Sequence, residues 1–374
     1  MRILFIIKSL ASKHGVERTI SDKANYLAKK EHVVSLLTYE QGEHPIVFPL
    51  NRTILVQDLD TRFYTLNRLS LFKRFWAWQK MCRLFRNRLQ KYLKEFQPDL
   101  IVTTTYSNVC LAEIMEVSGK IPVVVESHSV LVYEMPADSL RKKLQKGLSM
   151  RALRKCDLLI SLTKGDAECW RKYISNVTCL PNPVSSICED IDAINRENKS
   201  IISVGRLQNP KRFDMLIDAF AKIANLYPDW HVDIFGDGEQ REKLQQQIDF
   251  YGLSERVHLH HSTTDIFAKY LSSQFLVFCS DFESFGLVLI EAMAYGLPVI
   301  STNCPYGPSE IVTDGFNGFL VEKNDVDSLA EKMSWMIAHK SERKQMGNEA
   351  YKSAMAYKMD VVMQKWEQQY LSVI

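Results

Sequence analysis

The sequence has no hydrophobic run long enough to cross a membrane. A bilayer span needs about 18 uncharged apolar residues, and no stretch of this chain approaches that length. The first apolar run, Ile3–Ile7, is closed by Lys8 and is too short for the core of a signal peptide. We therefore predict a first β-strand there and a cytoplasmic protein.

The sequence also lacks closely spaced cysteines. Its eight cysteines are scattered and form no CxxC pair, whereas zinc sites and disulfide frameworks use short, regular spacings. A chain of 374 residues can bury a large enough core to fold without cross-links. We expect reduced, partly buried thiols.

Little net charge remains when the whole chain is summed, but the charge is unevenly divided. Residues 1–180 carry 29 Lys and Arg against 17 Asp and Glu, whereas the remainder carries 18 against 27. The excess of the first half lies mostly in residues 62–95 and 141–155. Such asymmetry indicates what a protein is attracted to rather than how it folds.

Aromatic residues are interleaved with the first basic run. Phe72, Phe75 and Trp76 precede a helical pattern predicted from Lys80 to Phe96. Basic and aromatic residues together are typical of a segment that binds an anionic membrane surface. The alternative is that these residues simply form the solvated faces of helices that cover the first sheet. No nucleic-acid module is recognisable, so we predict a peripheral protein on the inner face of the cytoplasmic membrane that does not bind nucleic acid.

Short apolar runs alternate with helical patterns along almost the whole chain. The runs are continuous, as in parallel strands that are buried on both faces, and their alternation with helices predicts βαβ units. The predicted strands are Ile3–Ile7, Val33–Leu37, Leu100–Thr104, Val123–Glu126, Leu158–Leu162, Ile201–Val204, His231–Phe235, Phe275–Phe278, Pro298–Ser301 and Gly318–Val321.

A polar, acidic stretch divides these units into two groups. We predict an α/β fold of two tandem Rossmann-like doubly wound domains facing across a cleft, with C-terminal helices. The first domain spans residues 1–183, residues 184–199 form the linker, and residues 200–374 form the second domain. The last helix of the chain can pack back on the first domain. Ligands of such sheets bind outside the carboxyl ends of the strands, so the cleft is the expected site.

The segment SDFESFGLVLIEA, residues 280–292, carries the most chemical information. A helix is predicted from about Ser284, a common N-cap residue. On an ideal helix, Glu283 and Glu291 can face the same cleft, where carboxylates accept hydrogen bonds from sugar or ribose hydroxyls. A capped amphipathic helix with two incidental glutamates is the alternative.

Two cations, Arg206 and Lys211, follow the predicted strand Ile201–Val204. At a strand-to-helix junction, an arginine and a lysine can together bind a diphosphate, and a solvated surface turn is the alternative. Glycine-containing turns at residues 236–238 and 307–310 are expected at the same edge of the second sheet.

Four segments, taken in their order along the chain, resemble the family-4 (group 1) retaining glycosyltransferases. They are VGRLQNPKRFDMLIDAF, FGDGEQREKL, ESFGLVLIEAMAYGLPVIST and CPYGPSEIVTDGFNGFLV. The resemblance extends over essentially the whole chain and implies the two-domain GT-B fold. It implies transfer of a hexose or N-acetylhexosamine, with retention, from a nucleotide-sugar that we expect to be a UDP-sugar. The expected acceptor is a saccharide, lipid-linked, in bacterial surface polysaccharide or lipopolysaccharide synthesis.

The resemblance also implies roles for residues of the second domain. Glu291 would hold the ribose of the donor and Glu283 the transferred sugar, while Arg206 and Lys211 would hold the diphosphate. The segment formed by Ser284, Phe285 and Gly286 would lie near the donor sugar.

The first domain matches the family more loosely. The family often has paired glycines at the start of the first helix, near the donor phosphates, where this chain has His14–Gly15. His128, in VVVESHS, matches a family histidine that lies near the donor sugar. The alternative is that His128 is only a structural histidine, held by hydrogen bonds in a loop.

No metal or separate cofactor is expected. Three Asp-x-Asp triplets lie outside the predicted cleft, and the family's transfer is metal-independent. His258, His260 and His261 show no acidic partner in their strand pattern, which favours surface histidines. Two other functions remain open: a nucleotide-sugar epimerase on the same fold, and a noncatalytic nucleotide-sugar-binding subunit.

Overall fold

The structure is a computed structural model that describes residues 1–105, 110–131, 147, 149–194 and 196–374. The chain forms two compact units. The first unit contains Met1–Pro181 together with Met363–Ile374, and the second contains Asn182–Val362. The end of the chain therefore belongs to the first unit, although it follows the second in sequence.

The first unit is built on a seven-stranded parallel sheet with the order β3-β2-β1-β4-β5-β6-β7. Its strands are β1 (Arg2–Ile7), β2 (Val33–Thr38), β3 (Leu55–Asp58), β4 (Leu100–Thr104), β5 (Val123–Ser127), β6 (Leu158–Ser161) and β7 (Val177–Cys179). The helices described for this unit are α1 (Gly15–Lys29), α2 (Leu71–Phe96), α3 (Leu111–Val117) and α4 (Lys164–Arg171). The central strands are buried on both faces, as their continuous apolar runs require.

The second unit is built on a six-stranded parallel sheet with the order β10-β9-β8-β11-β12-β13. Its strands are β8 (Ser200–Val204), β9 (His231–Phe235), β10 (Val257–His260), β11 (Phe275–Phe278), β12 (Val299–Thr302) and β13 (Gly318–Val321). The helices are α5 (Phe213–Ile223), α6 (Arg241–Phe250), α7 (Ile266–Ser272), α8 (Leu287–Met293), α9 (Gly307–Ile311), α10 (Val326–Ala338) and α11 (Lys340–Ala354), and α12 (Met359–Leu371) follows at the end of the chain.

The ten predicted strands are all present, within a residue or two of their predicted ends. Strand β10 is not among the ten, although its histidines were expected to lie on a strand. Strands β3 and β7 were not predicted. Both lie at edges of the first sheet, and none of their residues is fully buried, so their sequences carry no continuous apolar run. The strand order confirms two doubly wound α/β units.

Helix α2 has a buried half and an exposed beginning. Phe85 and Leu89, within the predicted helical pattern from Lys80 to Phe96, are inaccessible to solvent. The helix begins earlier than predicted, and its first turns expose Phe72 to 77%, Phe75 to 58% and Trp76 to 62%. In the part of the chain that the structure describes, neither this helix nor another has the length and apolar character of a membrane span.

The last helix, α12, is anchored in the first unit through buried aromatic residues. The Trp366 indole donates a hydrogen bond to the Pro181 carbonyl at 2.9 Å, and the Tyr370 hydroxyl donates to Glu126 Oε1 at 2.9 Å. The Lys23 ammonium lies 3.2 Å from the centroid of the Trp366 ring. These contacts explain why residues 363–374 belong to the first unit.

A buried ion pair lies beneath this helix. Lys23 Nζ, from α1, is 3.0 Å from Glu126 Oε2, on β5, and both side chains are inaccessible to solvent. A buried pair is expensive to desolvate, and losing one partner leaves a charge without compensation. The packing of α1, β5 and α12 therefore depends on keeping both members.

We expect Glu126→Gln to lower the free energy of unfolding of the first unit by about 3–5 kcal/mol, because Lys23 would be buried without a counterion. The double variant Lys23→Met, Glu126→Gln should lose clearly less than the sum of the two single variants. Urea unfolding followed by the fluorescence of the buried Trp170 and Trp366 measures these losses. The exposed Glu331→Gln serves as a control, and simple additivity of the two substitutions would contradict the prediction.

Candidate active site

Neighbouring strands of the second sheet carry the predicted site residues on the loops at their carboxyl ends. Arg206 and Lys211 follow β8, and Glu283 follows β11, which pairs with β8. The backbone N–H of Asp281 donates to the Pro210 carbonyl at 2.9 Å and joins the two loops. The parallel sheet thus brings together side chains that are more than 70 residues apart.

Lys211 and Glu283 are in direct contact. The Lys211 ammonium donates a charge-assisted hydrogen bond to the Glu283 carboxylate, and both side chains are mostly buried. The ammonium also lies 5.2 Å from the centroid of the Phe278 ring, within cation–π range. A cation is therefore held at a defined place at the edge of the sheet.

The backbone fixes Glu283 from a third loop. Its N–H donates to the Pro305 carbonyl at 3.0 Å, and its carbonyl accepts from the Tyr306 N–H at 3.1 Å. Sequence reasoning placed Glu283 next to a helix starting at Ser284, and this is wrong. Helix α8 begins at Leu287, so a helical spacing does not relate Glu283 to Glu291.

Gly286 explains where α8 begins. It precedes the helix with φ of 96°, a left-handed conformation that favours glycine. The chain between Glu283 and Leu287 consequently forms an irregular turn containing Ser284 and Phe285. The Ser284 N–H donates to Glu283 Oε1 at 3.2 Å, which orients the carboxylate locally.

Glu291 lies inside α8 and is only 4% exposed. The hydroxyl of the fully buried Tyr270, on α7, donates to its Oε2 at 3.4 Å. A carboxylate has several acceptor positions, so Tyr270 can orient Glu291 while the same group accepts hydroxyl donors of a ligand. Tyr270 had no signal in the sequence, since only the tertiary fold brings α7 against α8.

Arg206 and Arg212 behave differently although they flank the same turn. Arg212 is engaged by Asp214 and Asp281 at 3.1 and 3.2 Å. The side chain of Arg206 is exposed and makes no hydrogen bond or ion pair to any residue that the structure describes. Arg206 is thus an available guanidinium on the loop that also carries Lys211, and two cations on one loop suit a phosphate-containing anion.

Two glycines allow the loops to approach each other. A Cβ at Gly236 would lie 1.9 Å from the Gly205 carbonyl oxygen, and a Cβ at Gly307 would lie 1.9 Å from that of Phe285. Each contact is backbone to backbone, so a larger residue cannot be accommodated by a side-chain movement. These glycines set the positions of the turns that carry Arg206 and Phe285.

In the first unit, His128 lies just after β5 and is almost fully buried. Its Nε2 is 2.8 Å from Oε2 of Glu126, the same carboxylate that pairs with Lys23. Burial lowers the pKa of His128 and favours the neutral ring. Burial alone would raise the pKa of Glu126, but Lys23 and the hydrogen bond from His128 outweigh it and lower that pKa. The ionised carboxylate therefore selects the tautomer with the proton on Nε2.

The first unit also has a cavity of about 410 Å³ at the start of α1. Lys8, Ser12, His14 and Thr104 are among the residues that line it. His14 has φ of −93° and ψ of 163°, an extended conformation open to any residue, so histidine replaces the first of the paired glycines without strain. Gly15 is the first residue of α1 beside this cavity.

Comparisons with known proteins decide the family. The profile for glycosyl transferases group 1 matches residues 189–353, and the profile for glycosyltransferase family 4 matches residues 13–186. The chain belongs to the family-4 (group 1) glycosyltransferases. Each profile lies almost entirely within one of the two units.

Relatives within this family match along nearly the full chain. An uncharacterized glycosyltransferase of Haemophilus influenzae is 27% identical over 98% of this chain and 99% of its own. A Campylobacter jejuni enzyme named as an α-1,4-N-acetyl-D-galactosaminyltransferase acting on a diNAcBac-PP-undecaprenol-linked saccharide is 28% identical over 98% of this chain and 97% of its own.

A solved structure supports the GT-B fold. A point mutant of Staphylococcus aureus TarM, in complex with fondaparinux, α-GlcNAc-glycerol and UDP, aligns with a TM-score of 0.80 over 99% of this chain and all of its own. The two chains are 14% identical, so this likeness concerns the fold alone.

Several neighbours of the candidate residues were missed by sequence reasoning. Glu126 did carry a signal, because it interrupts the apolar run VVVES, and a charge within a buried strand requires a partner. Lys23 and Tyr370 carried none, since their approach to Glu126 depends on how α1 and α12 pack. Asp281 belongs to the segment of residues 280–292, but the sequence does not predict that its backbone joins two loops.

We expect Gly236→Ala to lower the free energy of unfolding of the second unit by about 1–3 kcal/mol or more, because the added methyl group overlaps the Gly205 carbonyl. Gly205→Ala is the matched control on the facing loop, since its Cβ would first meet a side-chain atom of Phe213 at 3.4 Å. Thermal unfolding of both variants measures the difference. Equal stability of the two would contradict the proposed loop contact.

Proposed function

We propose that this glycosyltransferase moves a hexose or N-acetylhexosamine from a UDP-sugar to a lipid-linked saccharide, with retention of configuration. The observation that carries the proposal is the contact between Lys211 and Glu283, together with the exposed Arg206 on the same loop as Lys211. It combines cations for a diphosphate with a carboxylate for sugar hydroxyls at one sheet edge.

In this proposal, Arg206 and Lys211 bind the diphosphate of the donor. Glu291, oriented by Tyr270, accepts the ribose hydroxyls, and Glu283 accepts hydroxyls of the transferred sugar. The irregular turn Ser284–Gly286 lies beside that sugar. The UDP named in the TarM complex supports a uridine nucleotide as donor.

The reaction breaks the bond between the sugar C1 and the diphosphate oxygen and forms a bond from C1 to the acceptor oxygen on the same face. The acceptor proton passes to the departing diphosphate. Arg206 and Lys211 stabilise the negative charge that develops on that leaving group, and they are in place before the reaction begins. No metal ion takes part in this scheme. His128, held in one tautomer by Glu126, and the backbone at Gly15 are further candidates for donor contacts.

The proposed acceptor is a saccharide on a lipid carrier at the inner face of the cytoplasmic membrane. The name of the Campylobacter relative includes an undecaprenol-linked saccharide, which supports an acceptor of this class. Within this chain, the exposed Phe72, Phe75 and Trp76, here called the aromatic patch, support contact with a membrane surface.

Charge near the aromatic patch fits an anionic surface. Arg68, Lys73 and Lys80 are exposed around it. Further along α2, Arg86 is instead paired with Glu116 at 2.6 Å, so that end of the helix attracts anions less. The second basic run is only partly described, because residues 141–146 and 148 lie outside the described residues.

The donor assignment is tested with UDP-, GDP- and ADP-sugars, each offered with a membrane-lipid extract and followed by mass spectrometry. We expect transfer from a UDP-sugar, and a loss of at least about 100-fold in kcat/KM for Lys211→Ala and for Glu291→Gln. Lys222→Ala and Glu331→Gln are matched controls on exposed residues and should retain activity. Near-normal turnover in the Lys211 or Glu291 variant would refute the assignment.

Incubation of the donor alone separates the two other functions. Conversion of the sugar without an acceptor would indicate an epimerase, and donor binding without turnover under any condition would indicate a noncatalytic subunit. Transfer that requires the lipid extract supports the proposed function.

Membrane binding is tested by sedimentation with anionic phospholipid vesicles. Replacing Phe72, Phe75 and Trp76 together by serine should reduce the bound fraction several-fold, because the surface would lose its interfacial aromatic groups. Phe250→Ser, an exposed phenylalanine of the second unit, is the matched control. Unchanged binding of the triple variant would exclude the aromatic patch as the membrane contact.

A further inference from the structure

The outer two strands of the second sheet present an unusual group of side chains. Strand β10 is the edge strand and pairs in parallel with β9. Residues two apart on a strand share a face, and the register places His258 opposite Asp233. His231 and Asp233 on β9 therefore stand beside His258 and His260 on β10.

Three of these side chains converge on one point. Oδ1 of Asp233 is 2.8 Å from Nε2 of His260 and 3.3 Å from Nδ1 of His258. These three atoms all lie within 4.8 Å of one another. Around a tetrahedral zinc ion, the metal–ligand bonds are about 2.0–2.1 Å long, and two ligand atoms therefore lie about 3.3 Å from each other. Small rotations of these three side chains are enough to bring their ligand atoms to such distances around a zinc ion.

The surroundings orient these groups. Oδ2 of Asp233, the other oxygen of the carboxylate, accepts a hydrogen bond from the Ser200 hydroxyl at 2.6 Å and lies 3.3 Å from Nε2 of His231. The ring of His260 stacks on Phe235, with centroids 4.5 Å apart. Such outer contacts fix the direction of metal ligands in known sites.

The sequence predicts surface histidines without an acidic partner. The three side chains are partly or largely exposed, but the expected lack of an acidic partner is wrong. Asp233 comes from the neighbouring strand, 25 residues before His258, and only the sheet register brings it between the histidines. The third histidine of the run, His261, is engaged elsewhere and contacts Asp237.

We propose that Asp233, His258 and His260 bind one divalent transition-metal cation, with zinc as the preferred ion. Two imidazole nitrogens and one carboxylate suit zinc and its chemical neighbours, whereas magnesium and calcium prefer oxygen ligands alone. Solvent occupies the remaining position of the tetrahedron. The cation joins the edge strand β10 to β9 and takes no part in the proposed sugar transfer.

The test uses untagged protein that has been treated with a chelator and freed of it. We expect the wild type to bind one equivalent of Zn²⁺ by calorimetry, and Co²⁺ to give the visible absorption of a tetrahedral complex. At a free zinc concentration about 100 times the dissociation constant, the midpoint of thermal unfolding should rise by about 5–10 °C. Absence of one saturable site in the wild type would overturn the proposal.

Variants assign the site to these residues. His258→Gln with His260→Gln should weaken Zn²⁺ binding more than about 100-fold, and Ser200→Ala, which removes an outer contact, by about 10-fold or more. His261→Gln is the matched control and should bind as the wild type does. Undiminished binding by the double variant would place the cation elsewhere, and Ser200→Ala keeps the test decisive if the double variant does not fold.

Discussion

Parallel pairing is the constraint on which this structure depends. The paired strands of both sheets run in the same direction, so the chain must cross back over the sheet between strands, mostly through helices. Helices then cover both faces, which requires strands that are apolar throughout. The same direction gathers the loops after the strands at one edge, where Lys211 meets Glu283.

Buried charge is used in both units, in different ways. In the first unit, Glu126 is surrounded by Lys23, His128 and Tyr370, so one ionised carboxylate positions a helix, a ring tautomer and the end of the chain. In the second, Glu291 is held by Tyr270 inside α8. Lys23 and Tyr370 reach Glu126, and Tyr270 reaches Glu291, from other elements of the fold, so tertiary packing keeps each carboxylate in a fixed place.

The net charge of a unit describes its surface better than its site. The second half of the chain is acidic overall, yet it places Arg206 and Lys211 together at a sheet edge. Arg212, the other cation of that turn, is neutralised locally by Asp214 and Asp281. The first half is basic, and its exposed charges surround aromatic side chains at the start of α2.

The sequence by itself determined the architecture and the segments that carry the candidate site, because buried parallel strands need continuous apolar runs and tight loop contacts need glycine. It missed β3 and β7, since half-exposed edge strands need no such runs. It also placed Glu283 beside a helix that begins only at Leu287. Tertiary structure alone decided which side chains meet: Lys211 with Glu283, Tyr270 with Glu291, and Asp233 with two histidines. Those contacts depend on strand order and register, which bring together residues that sequence spacing keeps far apart.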